Sequence, residues 1–265
     1  MIITLTLTVI VIVIILYVLY FTLTTDIVVA GSPCTKSLIV INSYVKNNAT
    51  GLVESLSQLG FEADQIILVR GGCQQERATR HSSHCQLDVQ QNTFDHTAFI
   101  ALLEHTHEIE ALLGRKILAF FYMHDTCRAG PSFKKLLDSK FQCRTVRLIP
   151  PINLLVKSMN MGLYSLADLK LTNGLQPKAF PTSDQERKDV KELAFQFEDA
   201  IFNDVGCTAA FQLFAFPSVE TERYNDHERS VVRFESLDIE KLQANWVGRR
   251  ELGWLWSKNN WKVVL

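Results

Sequence analysis

Lys116-Ile-Leu-Ala-Phe-Phe-Tyr-Met-His-Asp-Thr-Cys-Arg-Ala-Gly-Pro-Ser-Phe-Lys-Lys-Leu-Leu137 decides the fold class of this 265-residue chain. An apolar run, Ile117 to Met123, stops at His124-Asp125-Thr126-Cys127. Gly130-Pro131-Ser132 follows, and an amphipathic segment begins. A short apolar run bounded by turn residues is a buried strand. Its polar end, followed by a helix, is the pattern of an open α/β sheet, where ligands sit at the carboxyl edge. His124 and Asp125 are therefore the centre of the expected site.

The flanking segments extend the pattern. Ser37 to Val45 is β-branched and short, a strand. Leu52, Val53, Leu56 and Leu59 have helical spacing, Thr50 can cap that helix, and Gly60 can end it. Gln65 to Val69 is the next strand, stopped by Gly71-Gly72, which completes a βαβ unit with parallel strands. A helix capped by Asp95 is expected to run to Leu113 and end at Gly114. Cys143 to Ile149 is a further strand, and Leu154 to Ser165 another strand or extended segment. Leu171 to Thr182 reads as loop. Ser183-Asp184-Gln185-Glu186 is a capping box that opens a helix to Val205. Ser230 to Phe234 is a short strand. Trp246, Trp254, Trp256 and Trp261 read as packing residues, with a stacking surface for a sugar or base as the alternative. The expected architecture is a single Rossmann-like, mixed and mostly parallel sheet with helices on both faces, spanning residues 37–265 behind a linker at 25–36.

Ile2 to Leu23 is almost wholly apolar, and the first charged side chain is Asp26. About twenty apolar residues match the hydrocarbon thickness of a bilayer. No basic residue precedes the run, and it exceeds the usual core of a signal peptide. Residues 1–24 thus read as a transmembrane signal-anchor, with a cleaved signal as the alternative. Six cysteines follow it, which suits an oxidising lumen or other extracytoplasmic space and disulfides. Asn48-Ala49-Thr50 is a glycosylation sequon, so a glycoprotein is expected. Cys73 and Cys85 are expected to bracket a disulfide loop through an irregular polar stretch. A metal site on His81, His84 and Cys85 is the other reading of that stretch. With 27 basic and 28 acidic residues and no long basic run, nucleic acid is not an expected partner.

The phosphate loop GxxxxGK[ST], HExxH and GxSxG are all absent. An anchored α/β sheet with an acidic turn at a central strand end resembles the membrane-anchored nucleotide-sugar glycosyltransferases of the A-type fold. In that family an Asp-x-Asp-like motif ends a central strand and holds a divalent metal on the donor diphosphate. The resemblance covers Ser37 to about Ser165. It implies Asp125 and His124 as holders of Mn²⁺ or Mg²⁺, with His124 in place of one usual carboxylate, or else a metal-independent enzyme. It also implies Asn42, Ser43 and Tyr44 beside the donor, and Asn160 and Gly162 lining the donor or acceptor side. Asp226 and His227 are candidates for a late metal ligand or for the base that deprotonates a carbohydrate, protein or lipid hydroxyl, with a charged surface loop as the alternative. The expected activity is sugar transfer from a nucleotide-sugar. The alternatives are an anchored binding protein with a degenerate, inactive site, and an unrelated enzyme using Cys127 or Ser132.

Overall fold

The structure is a computed structural model. It describes residues 36–45, 49–148, 161–172, 175, 183, 185–186, 189–190, 210–211, 220–224, 227–234 and 236–244. The chain divides into Met1–Pro33 and Cys34–Leu265, and every described residue belongs to the second unit. Among the described residues no helix is long and apolar enough to cross a membrane. The expected anchor, the sequon asparagine Asn48, Asn160, Asp226, Cys34, Cys207 and the four tryptophans lie outside them.

The first half alternates strand and helix. Strand β1 (Ile39–Tyr44) leads through helix α1 (Thr50–Gln58) to β2 (Ile66–Gly71). A hairpin of β3 (Arg77–Arg80) and β4 (Cys85–Asp88) comes next, then helices α2 (Thr97–Glu104) and α3 (Thr106–Leu113). The central strand β5 (Ala119–His124) continues into β6 (Cys127–Ala129), α4 (Phe133–Lys140), β7 (Val146–Leu148), β8 (Gly162–Ser165) and α5 (Leu166–Leu171). The later strands are β9 (Ala210–Phe211), β10 (Glu220–Tyr224), β11 (His227–Phe234) and β12 (Ile239–Ala244).

The large sheet has the order β3-β4-β2-β1-β5-β8-β7-β9. Four of its seven neighbour pairs are parallel (β1 with β2 and β5, β2 with β4, β7 with β9). All six residues of β5 are buried, because both faces of the sheet are covered. Phe120 and Tyr122 lean on Phe99 of α2, at centroid distances of 6.3 and 4.2 Å. Phe121 turns to the other face and meets Phe133 of α4 at 5.7 Å. Phe61, just past α1, joins Phe133 at 5.8 Å, so α1 and α4 share that face.

A second sheet was not expected. β10, β11, β12 and β6 form a four-stranded antiparallel sheet, so the expected single sheet is corrected to two. Its first strand is three residues long and has no signature of its own. It pairs with a strand more than a hundred residues later, through Ile239 with Ala129 and Lys241 with Cys127. Gly130 is fitted to this junction. Its N–H donates to the Asp238 carbonyl at 2.8 Å, and the Ser132 N–H donates to the Asp238 carboxylate at 2.7 Å. A Cβ on Gly130 would fall on that carboxylate.

Four further expectations change. Cys73 and Cys85 are free thiols, and the stretch between them is the β3–β4 hairpin, closed by His81 N–H to the His84 carbonyl at 2.8 Å. It escapes notice because its short edge strand is polar and flanked by arginines, as edge strands often are. Cys143 is disulfide-bonded, and its partner lies outside the described residues. The helix expected from Asp95 to Leu113 is a 3-10 turn at Phe94–His96 followed by two helices. They break at His105, where the Thr106 hydroxyl bonds back to the Leu102 carbonyl and competes with the helical ladder. Leu171, expected to begin a loop, ends α5, and residues 166–170 before it carry no expectation. Thr50, expected to cap α1, is its first helical residue, and Ala49 stands at the N-cap with no side-chain capping bond; the glycine stops and the later capping box hold. Gly60 and Gly114 take left-handed φ values of 89° and 69° at helix ends. Ser183 and Glu186 exchange the two capping-box bonds, each 3.1 Å.

Candidate functional site

From β1 the chain runs outward to β2 and β4, then returns to the other side of β1 for β5. The crevice outside the carboxyl ends of β1 and β5 is the topological switch point, the usual ligand position in an open α/β sheet. Asn42, Ser43 and Tyr44 end β1 there, and His124 ends β5 in register with Asn42. Asp125, the next residue, is half-buried. Its N–H donates to the Asn42 carbonyl at 3.1 Å, and its carboxylate accepts from the Ser43 hydroxyl at 2.8 Å.

Asn42 is buried, and both ends of its amide are spent on backbone. Nδ2 donates to the Phe94 carbonyl at 3.1 Å, and Oδ1 accepts from the Ala98 N–H at 3.0 Å. One residue thereby fixes both the acidic turn after β5 and the loop after β4. Neighbouring strand residues point to opposite faces, so Ser43 and Asp125 lie on the side away from α2, where α4 packs.

His124 lies on the α2 side. It is 6 % exposed, stands edge-on to the Tyr122 ring at 5.2 Å, and holds Nδ1 3.6 Å from Asp95 Oδ1. That separation is an electrostatic pairing, too long for a good hydrogen bond. His124 and Asp125 therefore serve different faces of the edge. The Tyr122 hydroxyl donates to the Asp95 carbonyl, and full burial pushes that phenol well above its ordinary value.

The loop that carries Asp95 is a buried polar lattice. Gln91 Nε2 donates to the Thr97 carbonyl at 3.0 Å, Thr93 Oγ1 to Gln91 Oε1 at 3.1 Å, and the Phe94 N–H to Asn92 Oδ1 at 3.1 Å. Phe94 sits at φ 49°, a left-handed conformation that costs a non-glycine residue about 1–2 kcal/mol. Gly71 lets the loop approach β2, since a Cβ there would lie 2.8 Å from Thr97 Cγ2 and 3.0 Å from the Gln91 carbonyl.

His96 closes the loop with its Nε2 buried and without a hydrogen-bond partner. Burial lowers its pKa below the ordinary 6.5, against a smaller opposing pull from Asp95. Half-buried His84 is lowered for the same leading reason. In the unfolded chain both imidazoles take a proton near pH 6.5, whereas in the folded chain they resist it. Their contribution to stability is complete above that pH and is lost as pH falls through 6.5 toward the folded values. Urea midpoints measured from pH 7.5 to 5 should fall, and His96→Phe should flatten the fall. An unchanged slope in that variant would refute the assignment.

Comparison with protein-family models, with curated proteins and with solved structures gives no match.

The site therefore rests on its geometry. Asn42, Ser43, Tyr44, His124 and Asp125 come together at one edge. Gly162 opens β8 opposite Tyr122 in antiparallel register, which brings it to the same edge. Asn160 and Asp226 lie outside the described residues. His227 opens β11. Val232 is level with Lys241, which is level with Cys127. His227 is five residues from that level and Asp125 lies two residues nearer, so about three residues, or about 10 Å at 3.3 Å per residue, and two strand spacings of about 4.8 Å still separate them, and the ladder does not bring them together. Cys127 is buried, and burial pushes its thiol up to about 12, which leaves no thiolate for nucleophilic chemistry. His81 and His84 stack 4.6 Å apart at 11°, an arrangement in which their lone pairs do not converge on one metal.

Among the described residues no group of three or more His, Cys, Asp or Glu side chains could hold a metal ion. A divalent ion on a nucleotide does not need one. Mg²⁺ keeps several waters and is commonly bound through one or two carboxylates plus substrate phosphates. Asp125, an oxygen donor at the switch point, fits that role. Asp95 and its loop were missed as site residues. The signal in sequence is the polar cluster Gln91-Asn92-Thr93, which reads as the end of the irregular polar stretch, ahead of Asp95, which reads as a helix cap.

Proposed function

We propose that this chain is a glycosyltransferase that moves a sugar from a nucleotide-sugar donor to a hydroxyl acceptor. The observation that carries the reading is Asp125 at the end of β5, held by Ser43 and Asn42 at the switch point. Mn²⁺ or Mg²⁺, when bound with the donor, would neutralise charge on the departing diphosphate. Asp125 would hold that ion, Ser43 would keep the carboxylate aimed, and Tyr44 and Gly162 would border the donor. We further propose a single-pass membrane anchor at residues 1–24 and a luminal or extracytoplasmic working domain, on the apolar N-terminus and the disulfide at Cys143. The second reading is an anchored binding protein with a degenerate site. It is favoured by a single carboxylate in the motif and by a His124 turned away from Asp125.

Melting of the full-length chain in detergent, with Mn²⁺ and UDP or GDP, tests the proposal. A ligand at a hundred times its Kd adds about 2.7 kcal/mol of stability, a rise of about 5–10 °C for a domain of this size. Asp125→Ala should abolish the rise and lower release of diphosphate from the matching sugar nucleotide about 100-fold or more, since even outer partners of a metal cost 10–100-fold. A rise without turnover for any donor would favour the binding protein. No rise with any nucleotide would sink the transferase reading.

A further inference from the structure

We infer that Asp95 is the general base of the proposed transfer, and that the transfer inverts the sugar's anomeric configuration. The inference rests on the glycosyltransferase reading and adds a catalytic residue and a stereochemical outcome to it.

A base must reach the acceptor hydroxyl and must be held still. Asp95 meets both conditions. Its side chain is 30 % exposed, whereas that of its partner His124 is 8 % exposed. Of that pair, the carboxylate is the member an incoming hydroxyl can touch. The backbone on either side is fixed from four directions. The Phe94 N–H is held by Asn92, the Phe94 carbonyl by Asn42, the Asp95 carbonyl by Tyr122, and the His96 N–H by the Thr93 carbonyl at 3.1 Å. Phe94 is kept in a left-handed conformation in the process. Strain of this kind persists only where the surroundings over-determine it, and it concentrates at functional sites.

The placement supplies the stereochemistry. Asp95 pairs with His124 on the α2 side, and Asp125 bonds Ser43 on the opposite side. Asn42 touches both supports, so the two carboxylates flank one crest. A donor with its diphosphate at Asp125 and its sugar reaching across Asn42 would present the far side of its anomeric carbon toward Asp95. The acceptor O–H gives its proton to the Asp95 carboxylate. The acceptor oxygen forms the new bond to the anomeric carbon as the bond to the phosphate oxygen breaks, and that electron pair leaves with the diphosphate. Entry opposite to departure inverts the configuration. The proton then passes from Asp95 to water.

The test uses the full-length chain in detergent, UDP with Mn²⁺ as the binding probe, and a panel of UDP- and GDP-sugars with simple glycosides as acceptors. Asp95→Asn should lower turnover by about 10²- to 10⁴-fold, the usual share of a positioned base, while its melting rise with UDP–Mn²⁺ stays equal to wild type. Asp95→Glu should recover part of the loss. The product's anomeric signal by NMR should be opposite to the donor's. Turnover by Asp95→Asn within fivefold of wild type would overturn the assignment and leave the transferase reading standing. So would a product that retains configuration. Loss of the UDP–Mn²⁺ rise in Asp95→Asn would make the residue part of binding, and the base role would fall. A wild type that binds UDP but turns over no donor removes the base and leaves a binding protein. A wild type that neither binds nor turns over removes both proposals.

Discussion

Asn42→Ala should destabilise the protein by about 2–5 kcal/mol, because it leaves the Phe94 carbonyl and the Ala98 N–H without their partner and an unmade buried bond costs about 1–3 kcal/mol. Both bonds cross 50 or more residues of sequence, so no local rearrangement restores them. The effect reaches further than stability. Phe94 loses one of the contacts that hold it at φ 49°, and relaxation of that residue swings Asp95 away from His124. The UDP–Mn²⁺ melting rise should weaken as well, since the Asp125 N–H rests on the Asn42 carbonyl. Asn42→Asp is the informative companion. It keeps an acceptor for Ala98 but sets a carboxylate oxygen against the Phe94 carbonyl, so it should lose nearly as much. Urea unfolding of the three proteins decides the matter, and a loss below about 0.5 kcal/mol for Asn42→Ala, the scale of ordinary surface changes, would refute the account.

Phe99→Ala should cost about 3–5 kcal/mol, the usual range for removing a buried aromatic side chain. Phe99 is fully buried and is the hub of an aromatic cluster. Its ring lies 4.2 Å from Tyr122, 4.7 Å from Tyr164 and 6.3 Å from Phe120 and His96. Through Tyr122 it backs the strand that delivers His124, and through Tyr164 it backs β8. The cavity would open beneath the site. Phe99→Leu refills part of the cavity but gives up the ring contacts, so it should lose clearly less than Phe99→Ala, about 1–3 kcal/mol. Equal losses for the two substitutions would mean that the cluster is not close-packed.

Much of the frame is legible before any coordinates. The apolar run of β5 ends where the fold places its carboxyl edge, because a strand buried on both faces must be apolar throughout and can carry polar chemistry only at its tip. Ser43 and Asp125 meet as expected for the same reason: β1 and β5 are adjacent and parallel. Other features have no local signal. Asn42 looks like a ligand-facing residue, yet its amide is consumed by a loop more than fifty positions away, and only the tertiary structure reveals that. The division of His124 from Asp125 follows from strand alternation, but a two-residue motif reads as a unit. In sequence Asp95 reads as a helix cap. Its side chain is drawn instead to His124, a partner that lies 29 positions later. The β3–β4 hairpin is too polar and too short to register against the pull of two nearby cysteines.

The joining of Cys127–Ala129 to Ile239–Lys241 has a consequence for the order in which the chain is made. The large sheet is nearly complete once β8 has emerged, but the acidic turn is then attached to a strand without a neighbour. Its partner, and the Asp238 contacts to Gly130 and Ser132, arrive after about another seventy residues, which a ribosome adds in roughly 4–15 s at 5–20 residues per second. During that interval the nascent protein holds Asp125 on one side only and exposes an unpaired edge. The support of the acidic turn is thus completed late in synthesis, and a chaperone that shields an open strand would find its client in that window.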